Sequence, residues 1–207
     1  YFSTSEIYGN PDKKNIPTRE DYNGNVTSIG PRSCYDESKR LGETYCYIHK
    51  KYFNTHTNII RPFNVYGPGM KQNDYRIFPN FISNILRNKT LNIYGSGSQT
   101  RTYCYITDAI EGFLRVMCLG KSGEAYNIGN TNPEISVKEV IKILNRVYKK
   151  KIQSKQIVYP KSYPDDEPLR RCPDISKAKK HLNYKPKISI EKGLKNYLIW
   201  AAKNYKY

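Results

Sequence analysis

Two stretches early in the chain break from extended, apolar sequence into polar loops, and a long helical pattern lies between them. TSEIYG (4–9) sets hydroxyls, then a carboxylate, then Gly9 at the end of a strand-like run. TNIIR (57–61) is β-branched and runs into RPFNVYGPG (61–69), where two prolines and two glycines enforce an ordered loop. Between them the sequence from 10 to 29 reads as loop, Pro31 fixes a helix entry, and Leu41, Tyr45 and Ile48 mark a buried helical stripe reaching about Phe53. The order β-loop-α-β-loop-α predicts a mixed α/β fold. Ligands in such sheets gather at the carboxyl ends of strands, so both breaks are candidate site segments. A plain polar turn is the alternative for the first.

The helix itself carries Tyr35 and Lys39 in YDESK, four residues apart and therefore on one face. An ammonium beside a phenol favours the phenolate, which predicts a phenol able to act as a general base. Spacing alone proves little among 20 tyrosines and 35 Lys+Arg, and Tyr47 with Lys51 repeats it. The neighbouring segments have to decide.

Downstream, 78–86 returns to helical spacing and 91–94 reads as a short strand. GSGSQTR (95–101) follows it, with accessible backbone amides and Arg101 as a bidentate donor suited to a phosphate or carboxylate; a glycine hairpin is the alternative. A strand over 103–106, a helix over 108–118 capped by Thr107, and a strand and turn over 125–130 come next. Ser136 and Glu139 form a capping box for a helix over 137–148. An edge-like strand at 157–159 leads to a proline-rich connector containing YPDD (163–166) and PLRRCPD (168–174). The adjacent Arg170 and Arg171 suit a phosphate or carboxylate as well as they suit a solvated basic turn. Helices starting at Asp174 or Ser176, and over 190–202, complete the chain.

Composition removes several classes. No run of about 18 apolar residues exists, so no membrane span is expected. The start, Tyr1-Phe2-Ser3, lacks the features of a signal peptide and reads like the middle of a longer sequence. Five cysteines without CxxC or CxxH spacing argue against a disulfide framework and a zinc site, and favour a reducing cytoplasm; no metal is expected. The net charge of +17 raises nucleic acid as a partner, but the lysines scatter over expected helix surfaces and no nucleic-acid-binding pattern accompanies them.

Taken together, TSEIYG, YDESK, RPFNVYGPG, YGSGSQTR (94–101) and RRCPDISKAKKHLNYKP (170–186) resemble, in order, the extended short-chain dehydrogenases/reductases acting on nucleotide sugars. Within that NAD-dependent epimerase/dehydratase family, the chain is similar to the UDP-glucuronate decarboxylases through IGPRSCYDESKR, GSGSQTR and the Arg171-Cys172-Pro173-Asp174 segment. Related dTDP-glucose dehydratases place an aspartate where this chain has Ser5, so that type of dehydration is disfavoured. GDP-mannose dehydratases share the Thr/Ser-Ser-Glu triplet, and the segments around Tyr35 and Arg171 lean away from them.

The resemblance implies a later part of a Rossmann-type parallel sheet plus a small α/β substrate domain. Residues 1–70, with 103–130 as a candidate contribution, would belong to the NAD-binding part, and 71–207 mainly to the nucleotide-sugar-binding part. It implies Tyr35 as base, supported by Lys39, with Thr4, Glu6 and Arg171 also catalytic. Ser3, Tyr35, Lys39, Pro62, Val65 and Arg76 match cofactor positions. Ser5, Asn64, Asn80, Tyr94, Gln99, Arg101 and Arg171 match positions that hold a UDP-sugar. A homodimer through the YxxxK helix is implied as well. The family's glycine-rich GxxGxxG turn is missing, so about the first third of such an enzyme is expected to lie outside this sequence. The 207 residues alone are then expected to bind NAD poorly and to be inactive. A 4-epimerase, a 4,6-dehydratase or a non-catalytic basic binding module are the alternatives.

Overall fold

The computed structural model describes residues 1–159 and 168–206. Its first helix, α1 (Ser33–Phe53), ends where Asn54 turns left-handed at φ 50° and returns its N–H to His49 O. The strand β1 (Ile59–Pro62) follows, then β2 (Val65–Tyr66), α2 (Ile77–Leu86), β3 (Leu91–Tyr94), β4 (Thr100–Arg101) and β5 (Cys104–Tyr105). Next come α3 (Ile106–Leu119), β6 (Ala125–Ile128), β7 (Ile135–Ser136), α4 (Val137–Tyr148) and β8 (Ser154–Ile157). The order closes with β9 (Arg170–Arg171), α5 (Ser176–Leu182) and α6 (Ile190–Asn204).

Parallel pairing dominates. β1 lies beside β6 in the register Ile59↔Ala125 to Pro62↔Ile128, and Phe2 bridges Ile60 on the other side of β1. The N-terminal residues therefore run parallel beside β1, and their carboxyl end delivers Thr4 to Glu6. β2 pairs with β5 and β3 with β8, both parallel. β4 pairs antiparallel with β7 and parallel with β9, matching Arg101 to Arg171.

Among the described residues, two larger apolar cores and a small cluster of Ile7, Tyr8 and Phe63 serve these layers. One gathers Ile60, Val116, Tyr126, Ile128, Ala178 and Tyr184 between β1, β6, α3 and α5. The larger one joins α2, β3, α4 and α6 through Phe78, Ile82, Leu91, Leu144, Leu194 and Tyr197, with Tyr66 beneath them. Gly193 is what lets α6 approach: a Cβ there would stand 2.1 Å from the Tyr66 hydroxyl. The predicted capping box is present, with Ser136 Oγ accepting from Glu139 N at 3.2 Å and Glu139 Oε2 accepting from Ser136 N at 2.7 Å.

Several sequence-based expectations shift. Leu41 and Tyr45 are not a buried stripe, being 54% and 56% exposed, while Ile48 is half-buried. The inward face of α1 is polar instead: Asp36 is buried, Arg40 donates to Ile7 O and Asn23 O, and Glu43 meets Arg61. Periodicity finds the most apolar face, but here the helix docks on the backbone carbonyls and charges of the segment around 2–8. Thr107 does not cap α3, because the helix begins at Ile106 after Tyr105, which makes no side-chain cap. The strand expected at 157–159 lies earlier, at Ser154–Ile157, where β3 pairs with it. The loop expected over 10–29 contains a short 3-10 turn, Lys13–Asn15. YPDD (163–166) lies outside the described residues.

Candidate active site

Thr4 ends the N-terminal extended segment and caps a 3-10 turn, Ser5–Tyr8, its Oγ1 accepting from Glu6 N at 3.2 Å. Gly9 closes the turn at φ 59° with its N–H on Glu6 O at 2.8 Å. That tight turn aims the Glu6 carboxylate inward. Arg171 meets it with both terminal nitrogens, Nη2 at 3.0 Å from Oε2 and Nη1 on Oε1. Arg32, the residue before α1, also pairs with Glu6 Oε2, and its Nε lies 3.7 Å from Asp36 Oδ2. Residues from opposite ends of the chain thus share one poorly solvated ionic cluster, in which Arg171 and Asp36 side chains are 8% and 6% exposed.

On the first two turns of α1, Tyr35 and Lys39 stand on one face, with Lys39 Nζ 5.9 Å from the Tyr35 ring centroid. Nζ donates to Phe2 O at 3.0 Å, which ties the helix to the strand that carries Thr4 and Glu6. Tyr35 is 48% exposed. Tyr47 and Lys51 reproduce this pairing at 5.5 Å but face solvent. Ser3 is buried, its N–H on Ile60 O and its Oγ without a hydrogen-bond partner. Ser5 is buried in the turn.

The second strand end is equally built. Pro62 closes β1, and Asn64 adopts φ 44°, so that its Nδ2 donates to Thr102 O at 2.8 Å and its carbonyl accepts from Cys104 N at 3.2 Å. Val65 then starts β2. Thr102 N donates to Arg171 O at 3.2 Å, so Asn64 is linked through one residue to the backbone of Arg171.

Arg170 and Arg171 point to opposite sides of β9, as strand neighbours must. Arg170 grips Glu134 bidentately at 2.7 and 2.8 Å, and Thr100 Oγ1 also donates to that carboxylate. The Arg170 hydrogen bond, ahead of the opposing effect of burial, holds the Glu134 carboxyl below its ordinary 4.5. A depressed folded-state pKa gives stability above the unfolded value that is lost as pH falls through the folded one. Glu134→Gln should therefore flatten the acid limb of the unfolding free energy below pH 4.5. The exposed Arg170 side limits the effect to roughly 0.5–1 kcal/mol. Urea melts at stepwise lower pH would check it; identical limbs for wild type and variant would refute it.

The remaining candidates divide. Tyr94 stacks on Tyr159 at 6.0 Å, and Gln99 donates to the Tyr159 hydroxyl at 3.5 Å, so these two are brought together. Arg101 is buried on β4 between β7 and β9, and its guanidinium donates to Thr100 O and Pro168 O. Arg76 sits at the head of α2 with its guanidinium on Asp74 at 2.5–3.0 Å, and none of its bonds runs to Tyr35 or Lys39. Asn80, one turn along, accepts from Asn84 Nδ2.

Sequence reasoning missed Arg32, Glu134 and Tyr159. Arg32 stood within a quoted motif, three residues from Tyr35, and its charge was the available signal. Glu134 and Tyr159 enter only through strand pairing. Among the described residues, no group of three or more His, Cys, Asp or Glu could hold a metal, and no helix is long and apolar enough to cross a membrane.

Parallel strand pairs flanked by helices, a Tyr-Lys pair on the helix beside the N-terminal strand, and a carboxylate at that strand's end give the chain a Rossmann-type α/β character. The model of the NAD dependent epimerase/dehydratase family matches residues 1–129, and the chain belongs to that family. Over 192 residues it is 41% identical to UDP-glucuronic acid decarboxylase 6 of Arabidopsis thaliana, covering 93% of this chain and 54% of the relative. To UDP-glucuronic acid decarboxylase 1 of Xenopus tropicalis it is 38% identical, covering 99% and 47%. The chain thus spans about half the length of the curated relatives it matches. A UDP-glucuronic acid 4-epimerase of Bacillus cereus, solved with UDP-glucuronic acid and NAD, superposes with TM-score 0.80 at 31% identity over 99% of this chain and 61% of its own. The dTDP-glucose 4,6-dehydratase DesIV of Streptomyces venezuelae superposes with TM-score 0.83 at 26% identity, covering 99% and 59%.

Proposed function

We propose that the protein carrying this chain is an NAD-dependent UDP-glucuronate decarboxylase that forms UDP-xylose through a 4-keto sugar. The observation that supports it most is the meeting of Glu6 with Arg171 beside the Tyr35–Lys39 helix face, which sets a cation for a sugar carboxylate near a base. The relatives' names agree.

The residues present fit the nicotinamide end of NAD: Ser3 Oγ is buried without a hydrogen-bond partner, at a strand end that Lys39 already holds. Ser3, Tyr35, Lys39 and the turn from Pro62 to Val65 would face it. Bound there, NAD would take a hydride from C4 of the sugar and later return it. Tyr35 removes the 4-hydroxyl proton, and Lys39 stands beside it on the same helix face. The resulting ketone lies β to the sugar carboxylate, so carbon dioxide leaves with its bonding electrons collected as an enolate. Hydroxyl donors on Thr4 and Tyr35 hold that enolate oxygen. Arg171 orients the carboxylate, Glu6 serves proton return at C5, and Ser5 lies on the sugar side.

The segment 1–70, with 103–130 contributing, would form the cofactor side, and 71–207 mainly the nucleotide-sugar side. There Asn64, Asn80, Tyr94, Gln99 and Arg101 would hold the UDP moiety, and Arg76 would lie toward the cofactor. The exposed Leu41, Tyr45, Tyr52 and Phe53 of α1 support a homodimer through that helix. Free cysteines at 34, 46, 104, 118 and 172 support a cytoplasmic setting.

Incubating the complete protein with UDP-glucuronate and NAD⁺ tests the reading. Release of carbon dioxide with UDP-xylose is expected, and Glu6→Gln should slow it about 100-fold while leaving UDP affinity within roughly twofold. A product of unchanged carbon count would instead support the 4-epimerase reading, which the Bacillus cereus neighbour favours. No turnover of any UDP-sugar would point to a binding module.

A further inference from the structure

Glu6 has more cationic partners than one carboxylate requires. Arg171 reaches it from β9 and Arg32 from the head of α1, and all three side chains are under 20% exposed. Arg32 is itself anchored: its carbonyl accepts from Tyr35 N and Asp36 N at 3.1 Å, and Asp36 lies against its Nε. Arg171 cannot orient a sugar carboxylate while both its terminal nitrogens are spent on Glu6. Removing it from Glu6 without replacement would leave a poorly solvated carboxylate unpaired, which is strongly unfavourable. Arg32 removes that obstacle, because it already touches the same carboxylate oxygen, Oε2.

We propose that Arg32 is a positioning residue that keeps Glu6 ion-paired when Arg171 turns from Glu6 to the carboxylate of a bound UDP-uronic acid. The inference deepens the decarboxylase reading and rests on it. Arg32 acts through Glu6 and Arg171, not on the sugar, so its effect depends on the substrate's carboxylate.

Calorimetric binding of UDP-glucuronate and of UDP-glucose to the complete protein separates the possibilities. Arg32→Gln should weaken UDP-glucuronate about 10-fold, the scale of one charge-assisted hydrogen bond, and change UDP-glucose less than about twofold. Arg32→Lys should recover part of the loss. In a Glu6→Gln background, where no carboxylate competes for Arg171, Arg32→Gln should cost almost nothing further. Equal losses for both sugars, or additive losses in the double variant, would overturn the proposal. If Arg32→Gln does not fold, Arg32→Lys and the double variant carry the same comparison. A wild type that releases no carbon dioxide from UDP-glucuronate defeats the decarboxylase reading itself. A wild type that decarboxylates and prefers the uronate, with that preference intact in Arg32→Gln, defeats only the role of Arg32.

Discussion

Tyr35→Phe in the complete protein should lower turnover of UDP-glucuronate by about 1000-fold, within the range that one positioned acid-base group supplies. The substitution removes a single oxygen from a ring that is 48% exposed, so folding should be unaffected. Lys39 keeps its bond to Phe2 O whatever stands at position 35, and the strand end therefore keeps its place. Binding of UDP-glucuronate should change little, because the phenol acts on the 4-hydroxyl rather than on the diphosphate. The loss should appear in kcat with KM nearly constant, the pattern of an interaction made in the transition state. Tyr47→Phe, at the second Tyr-Lys pair, should leave turnover at the wild-type level. Steady-state kinetics of both variants, with matched thermal melts, decide the matter. Equal activities at positions 35 and 47 would remove Tyr35 from the mechanism.

Glu43→Ala should destabilise the fold by about 3–5 kcal/mol, the cost of stranding one partner of a buried ion pair. Arg61 on β1 is 9% exposed and donates to both Glu43 oxygens at 2.9 and 2.6 Å. It also donates to the Tyr8 hydroxyl at 2.7 Å and to Glu20 O at 2.9 Å. Burial alone would lower the Arg61 pKa, and Glu43 with Tyr8 more than offsets it. The network continues inward: Tyr8 donates to Asn127 Oδ1 at 2.8 Å, and Asn127 Nδ2 donates to Thr18 O and Asp174 O. It therefore fastens α1, β1, β6 and the segment after Arg171 to one another. Removing the Glu43 carboxylate leaves the guanidinium with neutral acceptors only. The thermal midpoint should drop by roughly 10 °C, and Glu43→Gln should lose less because it keeps one acceptor. A drop of only a degree or two in Glu43→Ala would show that water reaches Arg61 and that the pair is not a clamp.

Much of this architecture is written in local sequence. The helix over 33–53, the capping box at Ser136 and Glu139, and the short strand at 91–94 follow from rules that act within a few residues. Tyr35 and Lys39 sharing a face is also local, since 3.6 residues per turn dictates it. The failures share a cause. Leu41 and Tyr45 were expected inside because periodicity reports the apolar face, whereas α1 packs through Asp36, Arg40 and Glu43. Thr107 was expected to cap α3, whereas the helix begins one residue earlier, at Ile106.

The sequence by itself determined the alternation of strands and helices, the Tyr35–Lys39 pair and the polar strand ends, because each depends on backbone geometry over one or two turns. Only the tertiary structure decided that Glu6 meets Arg171 from 165 positions away, and that Arg32 shares the same carboxylate. Parallel pairing of β4 with β9, together with the clasp of Arg170 on Glu134, carries Arg171 to the strand end that holds Glu6. Charges so distant in sequence become neighbours only when strand register places them together, and no local rule encodes that register.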